Sequence, residues 1–464
     1  MRPINKDILK LAVPSILANI TVPIVGMVDI AVAGHLDVNA ATLIGGIAIG
    51  SMLFDLLYWN FGFLRVGTGG LAAQAFGRGD RRECARILAR ALGIALACAI
   101  VLIAIQWVFV KAAFLVVDCT PEVRELASRY FFVRIWAAPA TLGLMALKGW
   151  FIGMQDSVSA MVTDLTVNVV NVVLSVVLAL GFTLGSLHYD GEGFEGVAYG
   201  TVAAQYSGLL AAVSLLLWKY YRNTLSEVET ADLKGLFKGE ETRRFFVMNA
   251  DLFVRSLCFI AIYIGFTVIS ARYGDVLLAV SSILMKLLMI FSYFTDGFAY
   301  AGEALTGRYI GAGSREMVRQ TVKWTFIWSM SIAVLFMGIY HFAGVPMLRM
   351  MTEDPLVVEA AKAYLPWLLL MPVVGCAAFT WDGIYIGATG SRQMRDSMLW
   401  SVVAFVIVWS AGICILNAVA ADTPGYGGMA MHILMGAYFA HLLARTVYLT
   451  IFAKSQMFCN FGRI

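Results

Sequence analysis

Apolar runs long enough to cross a bilayer alternate along the chain with short polar connections, and the pattern recurs about twelve times. The runs cover 8–34, 40–66, 84–114, 122–152, 158–183, 195–221, 243–271, 276–307, 316–346, 356–387, 395–419 and 426–454. About 20 apolar residues coiled as a helix match a ~30 Å hydrocarbon layer. Because lipid offers no partner to backbone N–H and C=O groups, a span of this length must be a helix. The pattern therefore predicts an all-α integral membrane protein of about 12 transmembrane helices.

One long polar connection, 222–242 (RNTLSEVETADLKGLFKGEET), interrupts this rhythm near the middle. It divides the chain into an amino-terminal six-helix lobe, 1–221, a linker, 222–242, and a carboxy-terminal six-helix lobe, 243–464. Adding 234 to a position relates the two halves. Leu71, Gly77 and Gly79 meet Leu305, Gly311 and Gly313, and Gly149, Ile152, Gly153 and Ser157 meet Gly383, Ile386, Gly387 and Ser391. Six spans per half return the chain to the same side, so the repeat is parallel and a central cavity between the two bundles is expected.

Basic residues select that side. One set of connections holds Arg78, Arg81, Arg82, Arg86, Lys234, Lys238, Arg243, Arg244, Arg315, Arg319, Arg392 and Arg395, while the opposite set has few. By the positive-inside rule both termini are expected to be cytoplasmic.

Composition agrees and excludes other classes. Of 464 residues, 60% are hydrophobic and 14% charged, too apolar for a soluble globule of this size. MRPINKD runs straight into the first apolar segment, which is expected to stay as an uncleaved anchor. A net charge of +4 spread over short loops forms no face that could track nucleic acid. The seven cysteines and five histidines show no metal-ligand spacing, so no metal site and no cofactor is expected.

Candidate chemistry follows from charge cost. Asp29 lies deep in the first apolar run, where an ionised carboxylate costs roughly 2.5–3.5 kcal/mol unless it faces a cavity or a partner. It is read as the titrating group of a secondary transporter. Pro23 removes one backbone donor from the same helix and is the expected hinge. Asn168, Asn171 and Ser175, spaced three and four apart, can share one helix face and hydrogen-bond either form of an acid. Asp55 and Arg65 are a candidate structural pair. In the second half, Asp251 and Arg255 have the i, i+4 spacing of a helical ion pair, and Asp296 and Asp382 add carboxylates. That mixed-sign group fits either a neutralised structural network or a second coupling site. The 22 methionines suit a cavity for bulky apolar guests, though most are read as core.

Four stretches resemble a known family: Asn19 to Asp37 (NITVPIVGMVDIAVAGHLD), Leu71 to Gly77 (LAAQAFG), Thr295 to Ala304 (TDGFAYAGEA) and Asp382 to Met398 (DGIYIGATGSRQMRDSM). They are similar to the DinF-like branch of the MATE (multidrug and toxic compound extrusion) family, in order and over almost the whole chain. The resemblance implies two six-helix bundles around a V-shaped cavity, and export of organic, often cationic or amphipathic compounds in exchange for protons or sodium. It also implies that Asp29 corresponds to the family's proton-binding Asp of the first helix. Asn171 corresponds to the Asn of a fifth-helix N-x-x-x-D pattern whose Asp is here Ser175. Asp251, Arg255, Asp296 and Asp382 also match positions of the DinF-like pattern.

The resulting expectation is a proton-coupled efflux antiporter, monomeric, in the cytoplasmic membrane, with small amphipathic molecules and the bilayer as its partners. A sodium-coupled exporter and a flippase for a lipid-linked precursor are the alternatives. An enzyme is not expected, because no DDxxD motif, paired metal-binding carboxylates or nucleophile and base pair is present.

Overall fold

The computed structural model describes residues 3–36, 40–115, 117, 119–184, 187–227, 239–352, 354–420, 423 and 425–458. These are almost entirely helical. In chain order the helices are α1 (Pro3–Gly34), α2 (Ala40–Trp59), α3 (Phe63–Arg78), α4 (Arg81–Ala113), α5 (Pro121–Arg134), α6 (Ala138–Gly153), α7 (Ser157–Leu180) and α8 (Phe194–Tyr220). They continue with α9 (Glu240–Ala271), α10 (Asp275–Gly311), α11 (Arg315–Met351), α12 (Pro355–Lys362), α13 (Leu365–Gly387), α14 (Ser391–Ala420) and α15 (Tyr426–Phe458). Among the described residues twelve segments are long and apolar enough to cross a membrane. Large apolar side chains point outward, including Val108 at 70% and Phe342 at 85% exposure, which a lipid surround tolerates and water does not.

Three spans differ from the sequence expectation, two in a boundary and one in continuity. The second span reaches Arg78 instead of 66, because α3 carries it on after a turn at Asn60–Gly62. There the Asn60 side chain donates to the Leu56 carbonyl at 2.7 Å. The fourth span is broken by a 3₁₀ turn at Ile135–Ala137 just ahead of Pro139. The tenth begins at Leu365, since α12 is a separate short helix capped by Asp354 and Pro355. A two-stranded hairpin, β1 (Phe182–Leu184) with β2 (Leu187–Tyr189), joins α7 to α8 where only a loop was expected.

By contact, the chain forms two units. One is Leu17–Phe245; the other joins Met1–Ile16 to Phe246–Ile464. The second boundary falls close to the expected linker, but residues 1–16 belong with the carboxy-terminal half and not with 1–221. The first part of α1 packs there: Gly297 of α10 lies against Ile16 and the Ala12 carbonyl, and the Trp328 indole donates to Asn5 Oδ1 at 3.3 Å.

The 234-residue repeat is visible inside each unit. Gly149 of α6 sits on the Arg65 carbonyl of α3, and Gly383 of α13 sits on the Ala299 carbonyl of α10, in each case 234 further on. Gly153 on Gly69 and Gly387 on Glu303 repeat the relation, as do the left-handed residues Gln155 (φ 63°) and Thr389 (φ 53°). A methyl group at Gly149 or Gly383 would collide with backbone, which cannot swing aside. We therefore expect Gly149→Ala and Gly383→Ala each to cost about 1–3 kcal/mol, read as a lowered thermal midpoint in detergent. An unchanged midpoint would contradict this packing.

Helix ends are fixed by side-chain caps. Asp156 opens α7, accepting from Ser159 N at 3.1 Å, Ser159 Oγ at 2.6 Å, Lys219 Nζ at 2.9 Å and the Tyr220 hydroxyl at 3.0 Å. Burial pushes its carboxyl up, but the hydrogen bonds from Ser159 and Lys219 outweigh this and hold it below the usual carboxylate range. A depressed value stabilises the fold above the unfolded pKa and loses that contribution as pH falls through the folded value. Asp156→Ala should thus cost about 0.5–2 kcal/mol near neutrality, with the gap to wild type closing in acid, as followed by thermal melts across pH.

Candidate functional site

In the Leu17–Phe245 unit a polar cluster forms where α1, α5, α7 and α8 carry their few polar residues. Small residues bring α7 and α8 together: Gly196 and Gly200 of α8, four apart, lie against the backbone of Leu178 and Ser175. That close approach seats Asn171 (2% exposed) beside Thr201, to which its Nδ2 donates at 3.0 Å. Thr201 in turn donates to the Val197 carbonyl.

Asp29 is 6% exposed and its Oδ1 has no hydrogen-bond partner. Its charged and polar neighbours are Arg134 of α5 and Ser175 of α7. The Asn171 Oδ1 and Ser175 Oγ atoms, one helical turn apart, are likewise buried and unpartnered. The place therefore holds three buried oxygens without hydrogen-bond partners, which a proton on Asp29 or a bound cation can engage.

Asn168, Asn171 and Ser175 do not act as one face. Asn168 Nδ2 reaches Thr21 Oγ1 of α1 at 2.5 Å, whereas Asn171 turns to α8. Asn168 ties α7 to α1, and Asn171 with Ser175 forms the Asp29 neighbourhood. α1 runs as unbroken helix through exposed Pro23, six residues before Asp29.

Arg134 is the principal residue that sequence reasoning missed. Its guanidinium is the shared charged neighbour of Asp29, Asp55, Tyr58 and Tyr130, donates to the Tyr130 hydroxyl at 3.2 Å, and lies 4.8 Å from the Phe54 ring centre. Asp55 thus faces Arg134 in addition to any role for Arg65. An arginine within YFFVRIW, followed by an apolar run, carries the same cost argument that singled out Asp29 and was the available signal.

In the other unit the expected i, i+4 pairing of Asp251 with Arg255 gives way to partners on other helices. Asp251 of α9 accepts from Arg395 Nη1 at 2.5 Å and Ser391 Oγ at 2.9 Å, both on α14. Arg255, one turn on, pairs with Asp382 of α13, and Arg445 of α15 pairs with the same Asp382 oxygen. Asp296 of α10 is a further charged neighbour of Arg445. Asp382, Arg255, Arg445 and Asp296 thus make a mutually neutralised group, and Asp251 of α9 is bound apart from it, to the first turns of α14. Arg445, 1% exposed within HLLARTVYL, was not foreseen. In the repeat-related place Lys148 pairs instead with Asp164, so the two units carry opposite charges there. Among the described residues no group of three or more His, Cys, Asp or Glu side chains could hold a metal ion.

Twelve spans among the described residues, in two halves related by an internal repeat and each with a few buried charges among apolar helices, define a multi-pass helical membrane protein built like a secondary transporter. The sequence model of the MatE family matches residues 14–177 and again 252–413, one match per half. The chain is 34% identical to the DNA damage-inducible protein F of Escherichia coli K12, over 87% of this chain and 85% of that one. It is 23% identical to the NorM protein of Agrobacterium fabrum, named for multidrug resistance, over 91% of this chain and 88% of that one. A solved structure, the outward-facing form of a multidrug resistance MATE family transporter of the MOP superfamily, superposes with a TM-score of 0.82 at 14% identity, covering 98% of this chain and 96% of the other. The chain belongs to the MatE family of membrane transporters.

Proposed function

We propose that this transporter is a proton-coupled antiporter that exports small amphipathic or cationic organic compounds across the cytoplasmic membrane. In this reading it is a monomeric carrier with no covalent chemistry and both termini in the cytoplasm. The observation that carries the proposal is the buried Asp29 carboxyl, with one oxygen unpartnered, on a helix that passes from one unit into the other.

Ionised Asp29 favours a cationic or polar guest, and protonation removes that attraction. Proton and guest then compete for one charge, and a carrier that binds them alternately exchanges them. Pro23 leaves one rung of the α1 hydrogen-bond ladder empty, so repacking around a neutralised Asp29 bends the helix there at low cost. Protons are favoured over sodium because Arg134 already places a permanent cation near Asp29. A compact sodium ion must sit within bonding distance of the carboxylate and so close to Arg134, whereas a proton is taken up on the carboxyl itself and a larger organic cation can hold its charge farther from Arg134. The relatives named for multidrug resistance support the class of cargo.

The test is efflux of a fluorescent amphipathic cation from liposomes under an imposed pH gradient without sodium. Transport is expected in that buffer; transport that appears only when sodium is added overturns the proton reading.

A further inference from the structure

Away from both charge clusters, three arginines converge on one cleft. Arg78 ends α3, Arg90 lies in the third turn of α4, and Arg244 lies at the start of α9; with Leu71, Gln74, Glu83 and Ile87 they line a small cleft of about 60 Å³ that opens to the outside. Glu83 offsets one positive charge: it pairs with Arg90 at 2.8 Å, and both are buried. Arg78 and Arg244 stay exposed at the rim, while Leu71 and Ile87 give the wall an apolar side. The lining sets three arginines against one glutamate beside an apolar wall, and it lies where three helices end or begin, at the level of a membrane surface.

We propose that this cleft binds the phosphate headgroup of an anionic phospholipid from the adjacent leaflet. Guanidinium groups match phosphate oxygens in pairs, and basic pockets between transmembrane helices near the surface suit lipid phosphates. A phosphodiester sits between Arg78 and Arg244, the buried Arg90 and Glu83 pair holds the floor, and the glycerol and first acyl carbons lie along Leu71 and Ile87. That apolar wall favours a lipid over free phosphate, which has nothing to place there. The proposal depends neither on the coupling ion nor on the exported compound.

The purified full-length protein in neutral detergent is titrated with phosphatidylglycerol, phosphatidylcholine or inorganic phosphate, and retained lipid is read by native mass spectrometry. Saturable retention of phosphatidylglycerol is expected, with weaker retention of phosphatidylcholine. The Arg78→Gln/Arg244→Gln variant, altered only at exposed positions, should retain phosphatidylglycerol about 30-fold more weakly, and Arg244→Gln alone about fivefold. Equal retention by these variants, no preference over phosphatidylcholine, or displacement of the lipid by an equal concentration of inorganic phosphate would each overturn the proposal.

Discussion

Asp29→Asn is expected to reduce pH-gradient-driven efflux to the level of protein-free liposomes while leaving the fold intact. The substitution keeps the shape of the side chain and removes both its negative charge and its ability to exchange a proton. The new amide also supplies a donor to a neighbourhood where Asp29 Oδ1, Asn171 Oδ1 and Ser175 Oγ lack partners. We therefore expect the variant to be more stable than wild type by about 1–3 kcal/mol, the cost of an unsatisfied buried polar group or charge. Loss of transport together with a raised thermal midpoint separates a coupling role from a structural one. If both fall together, Asp29 is holding the fold and is not the coupling group.

Asp382→Leu should have the largest effect on stability, about 3–5 kcal/mol, visible as poor expression and a lowered midpoint. The substitution leaves Arg255 and Arg445 facing each other without the carboxylate that both engage, and Arg445 is almost fully buried. Removing a second charge tests whether neutrality is what matters. Asp382→Leu/Arg445→Leu leaves Arg255 and Asp296, restores charge balance, and should recover more than half of the loss. A double variant no better than Asp382→Leu would show that the geometry of the group, and not its balance, holds the unit together.

The helices were legible because a bilayer imposes length and apolarity, and the 234-residue offset was legible because close backbone approach at Gly149 and Gly383 admits only glycine. The extension of the second span through α3 was not, since LAAQAFGR has the small and polar residues of a helix packed inside protein and scores as a connection. Spacing also misdirected the reading of Asp251 and Arg255. The i, i+4 rule describes an isolated helix, and here stronger partners arrive from α13 and α14. Which helix supplies a partner is a tertiary fact, and neither period nor composition encodes it. Arg134 and Arg445 stand in apolar stretches as plainly as Asp29 does, but neither has an acid at helical spacing to mark it as one of a pair.

Competition between a proton and the exported compound at Asp29 is the core of the proposed mechanism. It is tested most directly by adding substrate to the purified protein in weakly buffered detergent and following a pH-indicator dye. In mildly acidic buffer, where the free protein carries a proton on Asp29, release of up to one proton per bound substrate is expected from wild type and none from Asp29→Asn. Substrate binding to wild type without proton release, or equal release from Asp29→Asn, would contradict it.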